Sequence, residues 1–392
     1  MPDYDLVLTG GTVLDPATDG DEARPRGADV AIAGGSIAAV APSIARERAR
    51  RTIDVTGRLV TPGLIDLHTH VYWGGTSLGV DPDALSATSG VTTHVDAGSS
   101  GAGNFPGFRR HLIERARARV LPFLNISFAG IFAFSRRLMV GESVDLRLLN
   151  VQEAVRVGRE HRDLILGMKV RLGQIAGEGQ GLPPLHLALQ AAEALGVRMM
   201  VHTDAAPPTR HEVLPLLRKG DILTHAFRPF PNGPTIDPGV AGRVLPQLWD
   251  ARDRGVVIDI GHGMGSFSFE SAEACLAQGF LPDVISSDVH ALCIDGPAYD
   301  LPTTMSKLYS LGMPLERVIA AATAAPARAI GRPDLGTLRP GAAADITVLD
   351  DRTGAFEYMD VTGRTMTGRR RLVPVVTVIG GQVLEPEAGE RT

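Results

Sequence analysis

The sequence predicts an α/β protein: a closed (β/α)8 barrel with a small β-sandwich domain built from both chain ends. Three observations carry this expectation. Apolar runs of strand length recur eight times between residues 64 and 286, several followed by segments of helical apolar spacing. Short β-prone runs separated by Gly-rich turns occupy both ends. Polar side chains suited to metal ions end several of the apolar runs, where a barrel gathers residues remote in the chain around one mouth.

Near the N-terminus the β-prone runs are 6–8, 29–32 and 37–40; near the C-terminus they are 344–349 and 373–384, the latter turning at Gly380-Gly381. Either set alone is poorly sized to close a core, so residues 1–58 and 336–392 are expected to form one composite domain around a barrel of residues 59–335. The barrel runs are 64–67, 91–95, 121–128, 164–170, 198–202, 222–225, 256–260 and 284–286, with helical spacing clearest at 185–194 and 315–325. An open doubly wound sheet is the rival fold. No short repeat suggests a solenoid, and the first strand lacks the glycine fingerprint of dinucleotide binding.

The formal net charge of -5, from 39 basic and 44 acidic residues, gives no reason to seek nucleic acid, and the Arg-rich pieces 46–51 and 369–371 read as solvated surface. Two cysteines, Cys275 and Cys293, cannot build a disulfide framework. With no basic-then-apolar leader and no membrane-length apolar run, a soluble cytoplasmic protein without a membrane partner is expected. Only three lysines occur, so Lys169, inside an apolar run, calls for its own explanation.

Gly63-Leu64-Ile65-Asp66-Leu67-His68-Thr69-His70 puts two imidazoles on one face of an extended strand, where both can reach one ion; Asp66 is read as orienting a ligand or closing a turn. His202 and His225 end the fifth and sixth runs and read as ligands of a second, more exposed ion, although either alone would be a satisfied core histidine. A buried ammonium at Lys169 is costly. As a neutral amine it can combine with carbon dioxide, giving a carbamate whose oxygens bridge two cations; a salt bridge or an exit to solvent is the plain alternative. Asp288, after the eighth run, is assigned to the buried ion and to proton transfer, with a turn or cap role as its alternative.

These motifs, with Gly167-Met168-Lys169, Val201-His202-Thr203, Thr224-His225-Ala226 and Ser287-Asp288-Val289-His290, resemble the amidohydrolase superfamily, more closely its dihydroorotase-like amidohydrolase/deacetylase metallohydrolases. Asp259-Ile260-Gly261-His262-Gly263-Met264-Gly265-Ser266 and Tyr299-Asp300-Leu301-Pro302-Thr303-Thr304 resemble the deacetylase-like group. The resemblance implies a TIM barrel with an added β-sandwich and two divalent ions, zinc first, held by His68, His70, His202, His225 and Asp288 and bridged by carboxylated Lys169.

Substrate-binding candidates are Arg228 and Asn232 on the loop after the sixth strand, and His262 and His290; a structural or solvent role is the alternative for each. His94 reads as a packed residue, and Tyr72 and Trp73 as an apolar wall or ordinary packing. The resemblance points to hydrolysis of a linear N-acyl amide or small acyl ester, a deacetylase among the options, acting on a small acylated molecule that can carry a carboxylate. A cyclic amidohydrolase opening a dihydroorotate-like ring or an imide is the alternative enzyme, and a non-catalytic metal-containing interaction protein the non-enzymatic one. A homo-oligomer is compatible with the outer helical surface.

Overall fold

The computed structural model describes residues 2–19, 23–235 and 242–384; residue 1 and residues 385–392, assigned from sequence to the composite domain, lie outside it. The chain begins with β1 (Tyr4–Val13), β2 (Arg26–Ala33), β3 (Ser36–Ala41), β4 (Ala49–Asp54) and β5 (Leu59–Pro62). β1 changes partner along its length: residues 4–9 pair with β4, whereas Thr12 and Val13 pair with β5. Between them Gly10 takes φ +75°, and its N–H donates to Asp29 Oδ1 at 2.8 Å, so the strand bends without leaving a backbone donor unpaired.

Seven parallel strands follow: β6 (Leu64–Thr69), β7 (Val91–Gly101), β8 (Arg119–Asn125), β9 (Gly167–Leu172), β10 (Arg198–Thr203), β11 (Ile222–Leu223) and β12 (Val257–Ile258). The eighth position is filled by residues 284–289. On one side Ile260 N donates to Val284 O and His262 N to Ser286 O; on the other Asp288 N donates to His68 O and His70 N to Val289 O. The parallel sheet thereby curls shut as the alternating apolar runs predicted. The fourth run starts three residues early because Leu164 N bonds back to His161 O in a turn.

Side chains of β6–β12 alternate between two apolar clusters, as parallel strands covered on both faces require. Ile65, Leu67, Val95, Phe123, Met200 and Ile222 meet inside the ring. Met168, Val170, Met199, Val201 and Leu223 pack outward against helices. The helices used below are α1 (Pro82–Ser89), α2 (Pro183–Leu195), α3 (Arg210–Val213), α4 (Leu301–Ser310), α5 (Leu315–Ala321) and α6 (Ala324–Ala329). α2 matches its expected span and stops at Gly196 (φ +66°). The helix expected at 315–325 is split instead into α5 and α6. Ala322 O accepts from Ile65 N of β6, and Pro326 has no N–H to continue the ladder.

The chain returns to the first sheet as β13 (Ile346–Met359), β14 (Thr365–Ile379) and β15 (Gln382–Val383), with the turn at Gly380-Gly381 where expected. β13 pairs antiparallel with β5, so both ends share one mixed sheet ordered β15-β14-β13-β5-β1-β2-β3, with β4 against β1. Leu8, Val30, Val60, Ile346 and Val378 form its core. β4 left no apolar alternation to read: it is an Arg-rich segment, and Arg50 lies beside Asp5 at 3.6 Å. Cys275 and Cys293 are both free, and no described helix is long and apolar enough to cross a membrane.

Candidate metal centre

At the C-terminal mouth of the barrel, His68, His70 and Asp288 each present a ligand atom, all within 4.8 Å of one another. Strand alternation alone would not produce this. Ile65 and Leu67 point inward, and β6 holds one more residue than β7 between Asp66 and Thr69; this bulge turns His68 and His70 inward as well. Both Nε2 atoms approach Asp288 Oδ1, at 3.2 and 3.3 Å. Asp66 sits behind them, accepting from Ser287 N at 2.9 Å and from His68 N at 3.3 Å, and so joins the first strand to the eighth segment.

Tautomers follow from the partners of the opposite ring nitrogens. Thr224 Oγ1 donates to Asp259 Oδ2 at 2.7 Å, so it accepts from His68 Nδ1–H at 2.8 Å and leaves the His68 Nε2 lone pair free. His70 Nδ1 contacts Ser99 Oγ at 2.8 Å. His225 Nδ1 donates to Gly261 O at 2.6 Å. The Nε2 atoms of His202 and His225 are buried and have no hydrogen-bond partner among the described residues, the His202 atom standing 3.7 Å from Asp204 Oδ2, and their ring centroids are 4.3 Å apart. Lys169 Nζ lies 3.5 Å from His68 Nε2, in space left by Gly98, where a Cβ would stand 2.6 Å from Lys169 Cβ.

His225 and Asp288 both have left-handed backbones, φ +62° and +47°. For a residue with a Cβ this costs about 1–2 kcal/mol. At His225 the reason is legible: Ile222 and Thr224 face inward and Leu223 outward, so regular alternation would send His225 out of the barrel.

Burial lowers the pKa of all four imidazoles. His70 falls to about 3, while His68, His202 and His225 are held well below the usual value, aided by the positive charges of Lys169, Arg171 and Arg228 and by neighbouring imidazole. They are neutral, the state a metal needs. Burial brings Lys169 down to about 7 against the pull of Asp288, and raises Asp288 to about 6 against His290 and Lys169. Two imidazoles, a carboxylate and two further buried imidazole nitrogens without a hydrogen bond among the described residues form a donor set that fits divalent cations.

A cavity of about 190 Å³ opens onto these groups. Leu78, Phe134, Met139 and Met264 are among its apolar lining; Arg171, Arg228 and His290 supply polar positions. Arg228 is half-buried and donates to Ser266 Oγ at 3.0 Å; the His290 ring centroid is 6.0 Å from that of His70. Two other candidates lie outside this cavity. His262 turns away to Lys307, whose Nζ is 2.7 Å from its Nε2 and also donates to Pro297 O and Met359 O. Asn232 is committed to backbone, accepting from Arg210 N and donating to Asp204 O. His94 packs outside, 2.8 Å from Ser86 of α1; Tyr72 stacks on Phe108, and Trp73 is exposed.

Arg171 was missed from sequence although it stands two residues beyond Lys169 on β9, and hence on the same inward face. It pairs with buried Glu142 at 3.1 Å and lies over the Phe134 ring. Asp259, the hub for Thr224 and Ser286, is the next-to-last residue of the seventh run and was equally readable as an inward polar residue.

Two Amidohydrolase family models match the chain, over residues 268–384 and 51–105. A deacetylase of Agrobacterium fabrum is 37% identical over 375 residues, covering 95% of this chain and 90% of its own. Among solved structures, an adenine deaminase superposes with a TM-score of 0.87 at 34% identity, covering 97% of this chain and 99% of that one. A dihydroorotase superposes at 0.85 with 35% identity, covering 97% and 98%.

Proposed function

The chain belongs to the amidohydrolase family, and from that membership we propose that it is a binuclear, zinc-dependent hydrolase of linear N-acyl amides or small acyl esters, with deacetylation as its simplest reaction. The observation that carries the binuclear reading is the pair of buried Nε2 atoms on His202 and His225, without a hydrogen bond among the described residues, beside the His68–His70–Asp288 group. His68, His70 and Asp288 would hold one ion, and His202 and His225 the other. Lys169 would bridge them as a carbamate, its neutral Nζ bonding to the carbon of carbon dioxide and releasing a proton. Its low pKa favours the neutral amine that this addition needs.

Bound divalent ions supply two things here: a lowered proton affinity for water and polarisation of the scissile carbonyl. Asp288 then accepts the proton released as water attacks and returns it to the leaving nitrogen or oxygen. Gly263 leaves room for its carboxylate, since a Cβ there would stand 2.2 Å from Asp288 Oδ2. Arg171 and Arg228 bring positive charge to the cavity lining, suited to a carboxylate on the substrate, and the apolar side chains of the lining suit the rest. Arg228 is the freer of the two because Arg171 is paired with Glu142.

The alternative is a cyclic amidohydrolase, favoured by the likeness to the dihydroorotase structure. Elemental analysis of the purified protein, combined with a panel of N-acyl, O-acyl and cyclic substrates and product identification, separates the readings. Two ions per chain with release of free acid supports the proposal. Ring opening without linear acyl hydrolysis transfers the assignment to the alternative, and absence of bound metal overturns both.

A further inference from the structure

We infer that Arg210, together with Asn232, is a positioning device for the second metal ion: it ties together the ends of the two strands that deliver His202 and His225. The inference rests on the binuclear reading above. Arg210, the first residue of α3, is only 2% exposed and has no carboxylate partner among the described residues. A buried guanidinium without an anion is costly, so what it touches matters.

Its two terminal nitrogens donate to consecutive backbone carbonyls, Nη1 to Ala226 O at 2.7 Å and Nη2 to His225 O, while its Nε is buried without a hydrogen-bond partner among the described residues. Those carbonyls are those of His225, whose left-handed backbone redirects its ring into the mouth, and of the residue that follows it. A left-handed residue persists where surrounding contacts over-determine it. Here the guanidinium fixes the backbone, and Gly261 O fixes the ring through Nδ1.

The second strand end is reached through Asn232. Its Oδ1 accepts from Arg210 N at 3.3 Å, and its amide nitrogen donates to Asp204 O, two residues beyond His202. Asp204 is itself anchored, its carboxylate accepting from Ile175 N and Ala176 N, both at 3.1 Å. The Thr209–Glu212 capping box sets the start of α3 and with it the backbone of Arg210. A continuous chain of contacts thus runs from the strand end beyond His202 to the turn at His225, without touching His68, His70 or Asp288.

The test is zinc titration of metal-free protein against a chelator, with stoichiometry by elemental analysis, for wild type, Arg210→Lys, Arg210→Met and Asn232→Ala. Wild type is expected to bind two ions. Arg210→Met should keep the tighter ion and weaken the other about 10–100-fold, the range typical for removing a group that orients a ligand. Arg210→Lys and Asn232→Ala should move the same ion by less, and excess zinc should restore activity in all three. Thermal unfolding of the metal-free forms checks folding; should Arg210→Met not fold, the two milder variants decide. Both ions binding as in wild type, or both weakening equally, overturns the inference. A wild type that binds one ion overturns the binuclear reading itself.

Discussion

Replacing Thr224 with Val keeps the shape of the side chain and removes one hydroxyl from the middle of the His68–Thr224–Asp259 chain. His68 Nδ1–H then loses its acceptor and Asp259 Oδ2 loses its donor, both fully buried. A buried polar group without a partner costs about 1–3 kcal/mol, so stability should fall by about 2–6 kcal/mol if nothing moves. Movement is available: His68 Nδ1 is 3.9 Å from Asp259 Oδ2, so a shift of about 1 Å re-pairs them at ordinary hydrogen-bond length. That shift withdraws Nε2 from its 3.2 Å approach to Asp288. Ion affinity should then drop about 10–100-fold, or about 1.4–2.7 kcal/mol. Denaturant unfolding of the metal-free protein and zinc competition on the same sample read the two responses separately. A Thr224→Val variant with wild-type stability and wild-type zinc affinity would refute the view that this hydroxyl orients His68.

Asp288→Asn should reduce turnover by about 10²–10⁴-fold or more while preserving the fold, because Asn tolerates the φ of +47° while the carboxylate is lost both as proton acceptor and as an anionic ion ligand; wild-type turnover would remove Asp288 from proton transfer. Gly98→Ala combines φ +81° with a Cβ 2.6 Å from Lys169 Cβ, so a stability loss of about 2–5 kcal/mol and fewer bound ions per chain are expected from unfolding curves and elemental analysis. An unperturbed variant would show that Lys169 does not need that space. For metal-free protein, burial brings Lys169 and Lys307 each to about 7, below the ordinary lysine value. Above pH 7 the unfolded chain therefore holds protons that the folded one has released, and stability should rise from pH 7.5 to 8.5 by at most about 1.4 kcal/mol per lysine. Lys307→Met should flatten that rise in pH-resolved denaturant titrations, and an unchanged slope would contradict a neutral buried Lys307.

The strand positions were readable because parallel strands buried on both faces leave continuous apolar runs, and the residues ending those runs marked the mouth. Period-two reasoning also contained Arg171, given Lys169. The same reasoning stopped where the backbone departs from regularity. The bulge in β6 and the left-handed turn at His225 re-aim side chains by local geometry that alternation does not encode. For His262 the sequence left a substrate contact and a structural hydrogen bond both open, because its place at the seventh strand end gave no hint of Lys307, remote in sequence on α4 and able to draw the ring away from the cavity. Arg210 left no signal, because an arginine that spends its donors on backbone carbonyls looks in sequence like any solvated one.

The eighth position of the ring is an irregular segment, joined to β6 through His68 O, Val289 O and the Asp66–Ser287 contacts. The proposed proton carrier thus stands on the seam where the cylinder is sewn together. A partly unrolled barrel would keep His202 and Lys169 on neighbouring, paired strands yet lose Asp288 from its place beside His68 and His70. Chemical competence and circular closure of this architecture are therefore one and the same state.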